Sequence, residues 1–267
     1  MNNLFPTFDR LLVSSHKVKN SLKSNFVKCY SIGYVKNYPA VRYCLLQFCI
    51  NNYNKDLFSY FNISPPDKII KLSIVRQAEY LASRYAISLI RNNNISLGKN
   101  FNLSSKYNVC ISHSKSFVIV ISSNSFHSNR FGIDLEINRL KNFFIIKDCI
   151  SSALEQNILS SLNIPVFTAL AILFSVKESS YKLLSDALPF DFSFADFRLV
   201  SFDEKNQKLI LETRNISHSS NKIYTVGYYD FSQEKLLTLS TSRVQIDDDK
   251  LVSPHDLVLA TSFAEPT

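Results

Sequence analysis

Phe131-Gly132-Ile133-Asp134-Leu135-Glu136 reads as a short strand opened by a glycine. Side chains alternate faces along a strand, so Ile133 and Leu135 point into apolar packing while Asp134 and Glu136 share the other face. Two carboxylates about 7 Å apart on one strand face can converge on a hard cation. Oxygen-only ligation favours Mg²⁺ or Mn²⁺ over zinc. The same alternation also describes a half-exposed strand with a solvated outer face.

Upstream, residues 107–122 are rich in Val and Ile and predict a neighbouring strand, which carries Ile111-Ser112-His113-Ser114. The hydroxyls and the imidazole there can donate to phosphate oxygens, and a lone Ser-His pair is equally a structural feature. It makes a poor nucleophile, because no acidic partner stands at a recognisable position to complete a triad. Before this strand, Val75, Ala78, Leu81, Ala82, Tyr85, Ala86 and Leu89 recur at helical spacing, with Arg76, Glu79 and Arg84 at other positions around the turns. That predicts an amphipathic helix of about four turns ending at Asn92-Asn93-Asn94.

Downstream, Pro165 opens an apolar helix that Asp186 and Pro189 close. It contains Phe174-Ser175-Val176-Lys177-Glu178-Ser179-Ser180-Tyr181-Lys182. Glu178 and Lys182 lie at i and i+4 on one face, and Phe174 and Tyr181 are expected to bury the other side. A carboxylate can ligate a metal or take a proton, and an ammonium one turn away can neutralise phosphate, although an ordinary surface ion pair has this spacing too. Beyond the helix, short β-rich runs at 197–200, 209–212, 223–229 and 236–239 alternate with polar turns. The expectation is an α+β fold of two similar α/β halves, related by a pseudo-two-fold, each a helix followed by strands. The halves span 1–125 and 126–245, with a loosely attached tail at 246–267. Residues 1–70 are aromatic, basic and weakly periodic, broken at Pro39 and Pro65-Pro66, and no mechanism is read from them.

With 267 residues, 46% hydrophobic and 19% charged, the chain can bury a real core and is too apolar to remain disordered. The longest apolar candidate for a membrane span, 164–176, is broken by Pro165 and Thr168 and runs into Lys177 and Glu178. It reads as a buried helix. No signal-peptide pattern opens the chain, so a cytoplasmic location is expected. The five cysteines are scattered without metal-ligand spacing and read as reduced, buried thiols. Thirty basic against 22 acidic residues give a net charge of +8, which points to an anionic partner without naming it.

Taken in order, Arg76-x-x-Glu79 with Arg84, Gly98-Lys99, Ser112-His113, Gly132-Ile133-Asp134-Leu135-Glu136 and Phe174-Ser175-x-Lys177-Glu178-Ser179-x-Tyr181-Lys182 resemble the 4′-phosphopantetheinyl transferase superfamily. Within it the stretch from about 76 to 200 looks most like the branch of enterobactin synthase component D. Asn100 stands where relatives often have Pro, and Phe174 where many have Trp.

The resemblance implies a monomeric enzyme with its active site in the cleft between the two halves. It would use Mg²⁺ to transfer the phosphopantetheine arm of coenzyme A to a serine of an acyl or peptidyl carrier protein, releasing adenosine 3′,5′-bisphosphate. It further implies that Asp134, Glu136 and Glu178 hold the metal, that Glu178 deprotonates the serine, and that Lys182 stabilises or protonates the departing phosphate. Lys99, Ser112 and His113, with Arg76 or Arg84, would grip the phosphates of coenzyme A. A metal-dependent nuclease is the rival enzyme, but such sites commonly place Glu-x-Lys on one strand, and Glu136 is followed by Ile137-Asn138. A non-catalytic carrier-binding or nucleic-acid-binding module is the other alternative. The intact carboxylate set argues against the first form, and the lack of a recognised binding motif against nucleic acid.

Overall fold

The structure, a computed structural model, describes residues 5–19, 25–92, 107–124, 130–137, 143–186, 188–213, 223–232 and 234–244. It is an α+β fold with two five-stranded antiparallel sheets. The first sheet contains β1 (Leu12–Lys19), β2 (Val27–Val35), β3 (Tyr38–Phe48), β4 (Tyr107–Ser114) and β5 (Phe117–Asn124), in the order β1-β2-β3-β5-β4. Three short and long helices lie between β3 and β4: α1 (Leu57–Tyr60), α2 (Asp67–Ile70) and α3 (Ile74–Asn92). The second sheet contains β6 (Phe131–Ile137), β7 (Phe197–Asp203), β8 (Lys208–Thr213), β9 (Ile223–Ser232) and β10 (Lys235–Val244), in the order β6-β10-β9-β8-β7. Between β6 and β7 lie α4 (Lys147–Ile150), α5 (Ala153–Ser160) and α6 (Val166–Leu184).

Strand alternation explains the layering. On β3 and β5, Cys44, Leu46, Val118 and Val120 face α3, where they meet Ala78, Leu81, Ala82 and Ala86. The intervening residues Tyr43, Leu45, Ile119 and Ile121 face the second sheet and pack with Ile133, Leu135, Leu237 and Leu239. On the far side of the second sheet, α6 packs against Leu209, Leu211, Tyr229 and Leu236. The result is four layers, helix on sheet on sheet on helix, with α3 and α6 outermost. Both of these helices have 19 residues. Among the described residues no helix is long and apolar enough to cross a membrane.

The halves share layers but not strand distribution. The weakly periodic segment before α3 supplies three strands, so the order there is strands, helix, hairpin and not the expected helix followed by strands. Residues 107–122 likewise form a hairpin and not a single run, because the chain reverses at Lys115, whose φ is 54°. The carboxyl-terminal runs appear as β7 to β10 at the expected places.

The second sheet accepts its helix unusually closely. A Cβ on Gly132 would lie 1.7 Å from the carbonyl oxygen of Ser179, and one on Gly227 would lie 2.3 Å from Val176. Glycine at these two positions lets α6 sit directly on β6 and β9. Cys44 is the one fully buried thiol among the described cysteines, none of which forms a disulfide, and Cys149 is exposed where a buried thiol was expected.

Candidate active site at the seam between the sheets

β4 and β6 are each an edge strand of their own sheet, and they meet without sharing a ladder. An open edge leaves amide groups that must find partners when buried. Here side chains supply them: the N–H groups of Ile133, Leu135 and Ile137 donate to Cys110 Sγ, Ser112 Oγ and Ser114 Oγ at 3.3, 3.2 and 3.1 Å. Alternate residues of β4 thereby stitch one sheet to the other. The same stitch brings the Ser112 hydroxyl to the Asp134 carboxylate.

Asp134 is the centre of the seam. It is only 4% exposed and accepts from three groups: Ser112 Oγ at 2.9 Å and Lys182 Nζ at 2.7 Å on Oδ1, and Ser175 Oγ at 2.7 Å on Oδ2. Lys182 also donates to the carbonyl of Ile133 at 3.3 Å and to Ser112 Oγ at 3.2 Å. Burial works against the Lys182 ammonium, but the carboxylates of Asp134 and Glu178 outweigh it and raise its pKa above the usual lysine value. Lys182 is therefore a fixed positive charge. Burial pushes the Glu178 carboxyl above its ordinary range; Lys182 opposes the rise and Asp134 adds to it. Glu136 lies on the same strand face as Asp134, its Oε2 accepting from Ser114 Oγ at 3.4 Å.

Oxygen donors on β6 and α6 match a hard divalent cation, and Asp134 Oδ2 retains a lone pair beyond its bond from Ser175. As the side chains stand, no group of three His, Cys, Asp or Glu among the described residues is closed on one ion. Lys182 supplies positive charge to Asp134 in that arrangement.

Ser112 and His113 are neighbours on a strand and so face opposite ways. Ser112 points into the seam, whereas His113 lies on the α3 side, where Arg76, Glu79, Tyr80 and Arg84 line a hollow of about 260 Å³ with it. Arg76 donates to Glu79 at 2.8 Å, the His113 ring stands 3.9 Å from the same carboxylate, and the Arg84 guanidinium lies 4.8 Å from the Tyr80 ring centre. The structure thus gathers Arg76, Arg84 and His113 at one place and sends Ser112 to another. Lys99 lies outside the described residues. Tyr181 is 42% exposed and does not bury the far side of α6. At i+7 from Phe174, it falls on the same helical stripe as Glu178 and Lys182.

Two functional groups carried no distinct sequence signal. Ser175 holds Asp134 at the head of a buried hydroxyl chain: Thr238 lies 3.0 Å from Ser175, and Ser179 2.7 Å from Ser240. Lys177, fully buried, pairs with Glu155 at 3.0 Å. Ser at 175 and Lys at 177 stand inside the quoted helix motif, but only their burial against named partners separates them from ordinary helix residues.

No curated protein matches the chain. Residues 130–234 match the model of the 4′-phosphopantetheinyl transferase superfamily. That span opens beside β6, closes between β9 and β10, and contains Asp134, Glu136, Glu178 and Lys182, while the hollow at Arg76, Arg84 and His113 lies before it. The seam geometry and the matched span therefore coincide: the carboxylates and Lys182 lie within the part of the chain that is similar to the 4′-phosphopantetheinyl transferase superfamily.

Proposed function

We propose that this protein transfers the 4′-phosphopantetheine group of coenzyme A to a serine hydroxyl of an acyl or peptidyl carrier protein. The observation that carries the proposal is the buried Asp134–Lys182 pair with Glu178 one helical turn away, set in the seam between two sheets and inside the matched span. The motif order favours the branch that resembles enterobactin synthase component D, serving siderophore, peptide or polyketide assembly. Both sides of the seam come from one chain, which suits a monomer.

Asp134, Glu136 and Glu178 would hold Mg²⁺, which when bound would neutralise charge on the pyrophosphate. The remaining work falls to side chains. The carrier serine oxygen attacks the phosphorus that bears the pantetheine arm. The bond from that phosphorus to the bridging oxygen breaks, and adenosine 3′,5′-bisphosphate leaves with the electron pair. Glu178 takes the serine proton, a role suited to a carboxyl whose pKa burial has raised. Lys182, held as an ammonium by Asp134, stabilises the developing negative charge on the leaving phosphate and acts as a charge more than as an acid. Arg76, Arg84 and His113 would receive the phosphate of the adenosine end, and Ser112 would serve the reaction by fixing Asp134. Coenzyme A would straddle β4, since Ser112 and His113 are consecutive and their Cα atoms lie about 3.8 Å apart.

The test is intact-mass analysis of a panel of apo carrier proteins incubated with the protein, coenzyme A and Mg²⁺. Addition of one phosphopantetheine arm on serine is expected. No mass gain on any acyl or peptidyl carrier would overturn the reading.

A further inference from the structure

The geometry points to Lys177 and Glu155 as positioning residues: their buried ion pair sets the rotation of α6 about its axis and so the aim of Glu178 and Lys182 into the seam. The inference rests on the transfer reaction proposed above and extends it to residues on the opposite side of the helix.

Lys177 has no exposed surface, and Glu155 is also buried. The ammonium has three protons to place and finds three partners: the carbonyl of Ile150 at 2.8 Å, the carbonyl of Phe194 at 3.2 Å and the Glu155 carboxylate. Glu155 is equally engaged. Its Oε2 accepts the N–H of Ser152 at 2.8 Å, completing the capping box of α5, and its Oε1 accepts the N–H of Leu199 on β7 at 2.9 Å. One lysine thereby ties α6 to the end of α4, the start of α5, the segment before β7, and β7 itself.

Stability alone does not require this arrangement. Desolvating two charges offsets most of their attraction, and well-packed apolar residues of similar volume are often as stable. What the charged pair adds is direction, because each of its hydrogen bonds tolerates little rotation of the helix. Buried hydroxyl bonds from Ser175, Ser179 and Ser180 to Thr238 and Ser240 hold the sheet side of α6, and the Lys177–Glu155 pair holds the side away from them. Lys177 immediately precedes Glu178, so a twist that relaxed the pair would swing Glu178 across the seam. The segment before β7 that Lys177 grips also flanks the reactive stripe: the Phe194 ring lies 5.5 Å from the Phe174 ring, and the Phe192 ring 6.4 Å from the Tyr181 ring.

The experiment compares wild type with Lys177→Met and with the double variant Lys177→Met/Glu155→Gln in the full chain. The single variant strands a buried carboxylate and can fail to fold. The double variant leaves no unpaired charge, but the glutamine has one acceptor oxygen where Glu155 has two, so one of the N–H groups of Ser152 and Leu199 loses its partner. Three readouts are taken: melting temperature, the kcat and coenzyme A KM of transfer, and Mn²⁺ affinity measured without coenzyme A. The double variant is expected to fold with a lowered melting temperature, to lose about 10- to 100-fold in kcat with coenzyme A KM within about twofold, and to bind Mn²⁺ about tenfold more weakly, the range seen when groups supporting metal ligands are removed. A folded double variant with wild-type kcat and Mn²⁺ affinity would overturn the inference. So would a loss confined to KM. If wild type transfers nothing, the functional reading fails separately, and Mn²⁺ affinity still decides the positioning role; if wild type binds no Mn²⁺, the kcat against KM comparison decides it.

Discussion

The two halves use the same layers for opposite purposes. In the first, α3 meets its sheet through Ala78, Leu81, Ala82 and Ala86 on Cys44, Leu46, Val118 and Val120, an apolar contact that asks for shape alone. Its charged residues Arg76, Glu79 and Arg84 stay at the surface around a shallow hollow with His113. In the second, α6 meets its sheet through Ser175, Ser179, Ser180, Thr238 and Ser240, all without exposed surface, and buries Lys177 as well. Buried polar groups are costly unless every one is paired, so a helix seated this way accepts few orientations. Under the transfer reaction proposed above, that difference is a division of labour: one half presents charge to solvent for binding, and the other holds charge rigidly for reaction.

That division can be broken by kinetics, and the largest effect belongs to Asp134. Asp134→Asn keeps the shape, with its oxygen able to accept from Ser112 and its amide nitrogen able to donate to Ser175 Oγ in place of the bond Ser175 gave, but it loses the charge opposite Lys182. Transfer is expected to fall about 10³-fold with folding preserved, checked by rate and by circular dichroism. Activity near wild type would remove the seam from the mechanism. Lys182→Ala is expected to lower kcat about 10²-fold and leave coenzyme A KM nearly unchanged, because its charge acts on the leaving group. A rise in KM at constant kcat would instead place Lys182 with the binding half.

His113→Ala should behave in the reverse sense, raising coenzyme A KM about tenfold with kcat intact, the size of one charge-assisted hydrogen bond. Comparison with dephospho-coenzyme A sharpens this, since a contact devoted to the 3′-phosphate gives no mutant penalty on the truncated substrate. The smallest effect concerns pH and Glu178. Its carboxyl is raised by burial, so between the ordinary range and the raised value the folded protein keeps a proton that the unfolded chain has released. Stability conferred by the protonated form is thus lost as pH rises through that window. In metal-free buffer the wild type should lose melting temperature relative to Glu178→Gln as pH rises from about 4 to about 8. Parallel curves would show that burial leaves Glu178 unperturbed.

Several elements were legible without coordinates because their signals are local. The alternation at 131–136 sent Ile133 and Leu135 into the core and put Asp134 and Glu136 on the other face, as the inter-sheet packing shows. The helix after Pro165 and the four strands from Phe197 appeared where apolar runs and turn residues put them. The strands β1 to β3 were missed because aromatic and basic residues blur a period of two, and the burial that makes them strands comes from α3 and β5, far along the chain. Lys99 lies outside the described residues.

By itself the sequence determined which residues share a strand face or a helical stripe, since backbone geometry repeats every two or 3.6 residues regardless of what packs against it. Asp134 with Glu136, and Glu178 with Lys182, follow from that rule alone. Only the tertiary structure decided that Lys182 pairs with Asp134, 48 positions away, that Ser112 turns toward that carboxylate while His113 turns to α3, and that Lys177 finds Glu155. Such pairings are fixed by how closely two sheets and a helix approach, here through Gly132 and Gly227, and by the need of every buried polar group for a partner. Neither condition is written in local spacing.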